Sequence, residues 1–214
     1  VDALSLTPPP AARAGLKRLA RADPDMGRIL REAGPLPWRA REPGFSGLLS
    51  AIVGQQISAK AAAAIWGRVC VLDGCMEPTL FLDLDDACLR GAGLSRPKIL
   101  HARAVAQAFC DGVLATKALA AMGDADAITA ISGVRGLGLW SAEIYLLFAL
   151  QRPDVFPAGD LALQAAAAHL KHLPERPTPK ALRQMAETWQ PHRGLAARLL
   201  WHWYHHMGAV GAKG

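Results

Sequence analysis

Cysteine is scarce in this chain of 214 residues: only Cys70, Cys75, Cys88 and Cys110 are present. Their gaps are irregular and no Cys-x-x-Cys pair occurs, which argues against a zinc site and for buried thiols on helices. Long apolar runs are missing as well. None approaches the roughly 20 residues a helix needs to cross a bilayer, and the N-terminal stretch lacks the basic-then-apolar layout of a secretory signal. No membrane association and a cytoplasmic location are therefore expected. Sustained alternation of β-branched and polar residues is also absent, so no strand is predicted. What the chain does have is alanine, within an apolar fraction of 51%, and that favours an all-α globular protein with one large or two small cores. The net charge of +6 and a pI near 9.5 permit a nucleic-acid partner without proving one.

Local signals divide the chain into helices. Pro8-Pro9-Pro10 closes a loose arm over residues 1–10, and an amphipathic helix follows from Ala11 to Ala22. Asp23-Pro24 starts a second helix that ends at Gly34. Pro35, Pro37 and Pro43 make a loop around Trp38, which reads as a core anchor or as one wall of a ligand pocket. A strongly apolar helix runs from Phe45 to about Ile57 and breaks at Gln55-Gln56-Ile57-Ser58, where Ser58 caps the next helix. Thr79 to Arg90 reads as one helix capped by Thr79. Ser95 caps another, with Lys98, His101 and Arg103 on its polar side. Further helices fit 113–122, 124–132, 139–150, 160–170, 179–189 and 193–206.

The most informative stretch is Ile131-Ser132-Gly133-Val134-Arg135-Gly136-Leu137-Gly138-Leu139-Trp140-Ser141. It predicts a helix, a glycine-punctuated hairpin and a second helix. Glycine at this density lets the backbone reach positive φ and approach another surface closely. The amides that open the second helix lack intrahelical partners and favour an anion, with phosphate the obvious one. About twenty residues further on, Asp160 precedes an apolar run. Two plainer readings stand beside these: a simple helix connection, and an aspartate that only caps a helix.

This stretch resembles the helix-hairpin-helix DNA glycosylases, with Gly136-Leu137-Gly138 as the Gly-hydrophobic-Gly core and Asp160 as the family aspartate. Two more segments extend the likeness to the 3-methyladenine DNA glycosylase II group. One is Ala51-Ile52-Val53-Gly54-Gln55-Gln56-Ile57-Ser58-Ala59-Lys60-Ala61-Ala62; the other begins Trp189-Gln190-Pro191-His192-Arg193 and ends at Trp201. The resemblance implies an all-α fold of two helical lobes with a cleft between them. Residues 45–155 would form the central lobe, ending in the hairpin unit at about 124–150, and residues 1–44 would join 156–214. The N-terminal β domain of some members is not expected. Nor is the C-terminal iron–sulfur cluster of others, since no cysteine lies beyond Cys110.

The resemblance also implies roles. The partner is double-stranded DNA containing alkylated bases, and one-to-one binding asks only for a monomer. Gln56, then Ile57 or Gln55, fills the gap left by a flipped base; the plainer reading is that they pack the interhelix corner. Trp140 and Trp201 line the base pocket, with Trp38 and Phe45 as weaker candidates, though tryptophan is commonly core. N-alkylated purines carry positive charge, which an aromatic pocket attracts. Asp160 stabilises an oxocarbenium-like sugar or positions water. Gly136, Leu137, Gly138, Arg135 and Ser141 contact phosphate. The carbonyls of Ser132, Val134 and Leu137 suit a structural Na+ or K+, with no metal needed for chemistry. Relatives with lyase activity place a lysine where this chain has Trp140, and no lysine lies between Lys117 and Lys171, so a monofunctional glycosylase is expected. The rivals are a non-catalytic binder of damaged or bent DNA, a bifunctional glycosylase/lyase, and a helical bundle for a small molecule.

Overall fold

A computed structural model gives the structure of the protein over residues 3–5 and 7–211, with side chains described from Thr7 to Gly208. The described residues divide into two compact units, 41–150 (with Ala3) and 4–40 plus 151–211. The boundaries fall a few residues before those expected, and local bonds explain why. The Arg41 amide donates to the Phe148 carbonyl at 2.9 Å and the Gly44 amide to the Tyr145 hydroxyl at 2.8 Å, which ties 41–44 to the first unit. Asp154 is gripped by Arg193 at 2.8 Å, which ties the segment after Leu150 to the second.

The first unit holds α3 (Phe45–Gly54), α4 (Ala59–Val69), α5 (Pro78–Asp83), α6 (Asp86–Gly91), α7 (Arg96–Cys110), α8 (Thr116–Ala121), α9 (Asp124–Ser132) and α10 (Leu139–Phe148). Helices α3 and α10 are apolar on all sides and pack together as its centre, burying Leu48, Leu49, Ile52, Val53, Tyr145, Leu146 and Leu147. Helix α7 lies against α3 and α5. The single helix expected over 79–90 is two: the break at Leu84 is followed by Asp85, whose carboxylate caps the Ala87 amide at 3.1 Å. Arg103 stabilises that break from α7. Its guanidinium donates to the carbonyls of Leu82 and Leu84 and to Asp86, at 2.5, 2.6 and 2.8 Å. Ser58 caps α4 as expected, accepting from the Ala61 amide at 3.2 Å, whereas the Ser95 side chain makes no capping bond to α7.

The second unit holds α1 (Pro10–Ala22), α2 (Pro24–Glu32), α11 (Leu161–Leu170), α12 (Pro179–Ala186), a short 3-10 turn at Glu187–Trp189 and α13 (Arg193–Gly211). Two short strands, β1 (Ala3–Ser5) and β2 (Trp38–Ala40), pair as a ribbon. They correct the expectation of no strand and of a plain loop at Trp38. The arm expected over 1–10 is a strand at 3–5, and its residues 1, 2 and 6 lie outside the described residues. Among the described residues no helix is long and apolar enough to cross a membrane.

A half-buried ionic knot ties the start of α2 to the end of α11. Lys171 Nζ donates to Asp23 at 2.7 Å and to Asp25 at 2.9 Å, and the Trp189 indole donates to Asp23 at 2.8 Å. Burial pushes the Asp23 carboxyl up, but the bonds from Lys171 and Trp189 outweigh it and hold its pKa below the ordinary value. Its contribution to stability is therefore full above the unfolded carboxylate pKa of about 3.9 and drains as the pH falls through the depressed folded value. Lys171→Met should cost about 1–2 kcal/mol, because it leaves the half-buried Asp23 carboxylate without its cation. Urea unfolding at pH 7 checks this, and the gap from wild type should narrow in acid.

Candidate functional site

The residues singled out by sequence fall in two clusters, one within each unit. In the first unit α9 ends at Ser132 and α10 begins at Leu139, and the hairpin between them turns on Gly136 at φ 88°. A β-carbon at Gly136 would overlap the ring of His101, so only glycine fits. The first bond of α10 runs from the Ala142 amide to the Gly138 carbonyl, at 3.1 Å. The amides before it are those that a helix leaves for an outside acceptor. Gly138 and Arg135 are exposed beside them.

One expected phosphate contact is corrected here. The Leu137 amide already donates to the Val134 carbonyl at 3.0 Å, and the Leu137 side chain is buried. Ser141 is 2% exposed, and its hydroxyl accepts from Gln55 at 3.0 Å, so its backbone amide rather than its side chain is what it has to offer an anion. That bond also corrects Gln55 as a wedge. Its amide nitrogen donates to the Gly136 carbonyl at 2.9 Å as well, so the side chain points into the hairpin. The next two residues are different: Gln56 is exposed in the left-handed region at φ 57°, and Ile57 is 37% exposed. A non-glycine residue held there is uncommon, and local strain of this kind gathers at functional turns.

Sequence reading put Lys98, His101 and Arg103 on an outer polar face, and the structure turns all three inward. Lys98 donates to the Val53 carbonyl at 2.7 Å at the end of α3, and burial pushes its pKa down. His101 lies against Gly136 with its Nδ1 buried and without a hydrogen-bond partner. The spacing of Lys98 and His101, one helical turn apart, was the only signal for this shared face. Trp140 is half-buried at the start of α10. Phe45 is not a pocket residue: it is 4% exposed and packs edge-on to Phe81 and Phe109, with centroids 5.2 and 6.2 Å away.

The second unit carries the carboxylate. Asp160 is the N-cap of α11, and its Oδ1 accepts from the amides of Ala162 and Leu163 at 2.9 and 3.1 Å. The plainer reading of this residue, a helix cap, is thus correct as far as it goes. The same oxygen also accepts from the Trp201 indole nitrogen at 3.1 Å, across from α13. The family resemblance implies one site for Asp160 and Trp201, and the two side chains are in contact in the structure. Both are half-buried. A carboxylate fixed by three donors at a helix N-terminus, beside an aromatic ring, is equipped to face positive charge. Trp38 does not join it. It is 9% exposed, and the Arg198 guanidinium covers its ring at 4.2 Å, which makes it the anchor of β2. His192 serves the start of α13 through its backbone, its carbonyl accepting from Leu195 and Ala196 at 2.9 and 3.0 Å.

The chain is similar in sequence and fold to known proteins. Over 165 residues the chain is 32% identical to DNA-3-methyladenine glycosylase 1 of Schizosaccharomyces pombe, covering 75% of this chain and 72% of that protein. The solved structure of 3-methyladenine DNA glycosylase (Mag1) from the same yeast, in complex with abasic DNA, superposes with a TM-score of 0.82 at 29% identity, covering 88% of this chain and 95% of the other. A DNA-3-methyladenine glycosidase from Bacillus halodurans gives a TM-score of 0.71 at 31% identity, with 91% of each chain covered. Residues 49–191 match the signature of the HhH-GPD superfamily, a stretch that takes in the hairpin, the Gln55-Gln56-Ile57 corner and Asp160, and the chain belongs to that superfamily of base excision DNA repair proteins.

Proposed function

We propose that the protein is a monofunctional DNA glycosylase that flips N-alkylated purines of the 3-methyladenine and 7-methylguanine type out of duplex DNA and hydrolyses their glycosidic bond, leaving an abasic site. The observation that carries this reading is the pairing of Asp160 Oδ1 with the Trp201 indole nitrogen at 3.1 Å. It puts a fixed carboxylate beside an aromatic ring. The carboxylate stabilises the oxocarbenium-like sugar, with positioning of water as its second task. The ring attracts the positively charged base. Alkylation already weakens the bond to the sugar, so no strong acid is required. Gly136, Gly138 and Arg135 hold phosphate, and Gln56 and Ile57 fill the gap in the stack.

The reaction as proposed needs no cofactor and one protein monomer, acting in the cytoplasm. The carbonyls of Ser132, Val134 and Leu137 have the hard-oxygen chemistry that Na+ or K+ takes. The Ser132 hydroxyl, buried without a partner at the same corner, fits such an ion. The ion would stiffen the hairpin.

Base release from methylated duplex, split with and without hot alkali, tests the proposal. Free base with strand breaks only after alkali is the expected result. Breaks without alkali, with a borohydride-trapped adduct, would establish the bifunctional reading instead, which Trp140 at the lyase lysine's place opposes. Tight, salt-sensitive binding with no base released would make the protein a non-catalytic reader of DNA.

A further inference from the structure

We infer that Gln55 is a positioning residue that locks the intercalating corner to the phosphate-binding hairpin, so that gripping the strand and filling the gap occur at one fixed spacing. The inference rests on the proposed glycosylase function and adds to it the device that sets the register between two contacts with DNA. Helix α3 ends at Gly54, and Gln55 leaves it in an extended conformation at ψ 131°. From there its one amide nitrogen spends both protons on the hairpin unit, one on the Gly136 carbonyl at 2.9 Å and one on Ser141 Oγ at 3.0 Å. The two acceptors flank the hairpin tip: Gly136 is its left-handed turn, and Ser141 sits in the first turn of α10.

The very next residue is Gln56, exposed and left-handed at φ 57°. A side chain anchored at Gln55 therefore dictates where the exposed Gln56 and Ile57 start. Helix α7 closes the assembly from behind. Lys98 holds the Val53 carbonyl at 2.7 Å on the α3 side, and His101 fills the space under Gly136 on the hairpin side. Corner and hairpin are thus clamped twice, once to each other by Gln55 and once to a common helix.

Such coupling makes a prediction that ordinary packing does not. When the damaged base is paired and stacked, the wedge must enter at the right distance from the gripped phosphate, and a misplacement of about 1 Å costs on the order of 10²-fold. When the base is already extruded, in a single strand or a bulge, the wedge has little left to do. Gln55→Leu should therefore lower the single-turnover excision rate on fully paired duplex at least tenfold more than on a bulged lesion. Ser141→Ala, which removes one acceptor and little volume, should give the same contrast more weakly, and the double variant should fall short of the sum. Equal losses on paired and bulged DNA would overturn the inference, since a damaged fold harms both alike.

A readout without chemistry runs in parallel: the fluorescence rise of 2-aminopurine next to an abasic analogue when duplex is bound. Wild-type protein should give the rise, and Gln55→Leu should bind with the same salt dependence and lose it. An unchanged rise in Gln55→Leu overturns the coupling. If wild-type protein released no base from any DNA, the glycosylase reading would fall, while the fluorescence contrast would still decide the role of Gln55.

Discussion

Asp160→Asn leaves DNA binding intact and lowers base release by about 10²–10³, the usual cost of losing one preorganised electrostatic stabiliser. The substitution is chosen for its geometry. Asparagine keeps an oxygen where Oδ1 accepts from Ala162, Leu163 and the Trp201 indole. It also caps a helix about as well as aspartate. The thermal midpoint should therefore stay near that of wild type while the negative charge is gone. Asp160→Ala should lose both, with about 1 kcal/mol of stability added to the kinetic defect. Single-turnover excision on methylated duplex, read beside an unfolding curve for each variant, separates the two effects. Equal excision by Asp160→Asn and wild type would remove Asp160 from the chemistry.

Gly136→Ala strikes at the grip on DNA instead. At φ 88° an L-residue pays about 1–2 kcal/mol. The new methyl group also runs into the His101 ring, a form of overpacking worth about 1–3 kcal/mol. The hairpin must move, and the phosphate contacts proposed for it move with it. Affinity for duplex should drop tenfold or more, and the salt dependence of binding should become shallower by about one counterion. Gly138→Ala is the control. Gly138 has φ −112°, and nothing lies within 4 Å of an added β-carbon, so stability should stay within about 0.5 kcal/mol of wild type. Filter binding across a salt series, with urea midpoints for both variants, reads the outcome.

The residues that sequence located well are those whose chemistry is local. Gly136 announces a positive φ, Asp160 a helix start and Ser58 a cap, because each acts on backbone within three residues of itself. The errors share another cause. Lys98, His101 and Arg103 look like a solvated face until α3, the hairpin and the α5–α6 break supply carbonyls and space that no local pattern shows. Gln55 and Gln56 are chemically identical neighbours, yet one turns inward and the other outward because Ser141 and Gly136, about 80 residues away in sequence, sit on one side. Phe45 and Trp38 are ring-bearing residues near the matching segments, and only the positions of Phe81, Phe109 and Arg198 reveal that they are already occupied. The break at Leu84 escaped for the same reason, being held by an arginine from a different helix.

The triple role of Asp160 Oδ1, which holds two helix amides and an indole, also bears on how descendants of this protein would diverge. A lineage released from the need to repair bases would still lose folding stability by discarding this carboxylate. Purifying selection for a soluble product would go on keeping Asp or Asn there after turnover had ceased to matter. An aspartate at this position in a relative is therefore a poor marker of activity by itself. Drift from Asp to Asn, neutral for the helix and, with Asp160 in its proposed role, damaging to catalysis, would be the first trace of a repair enzyme turning into something else.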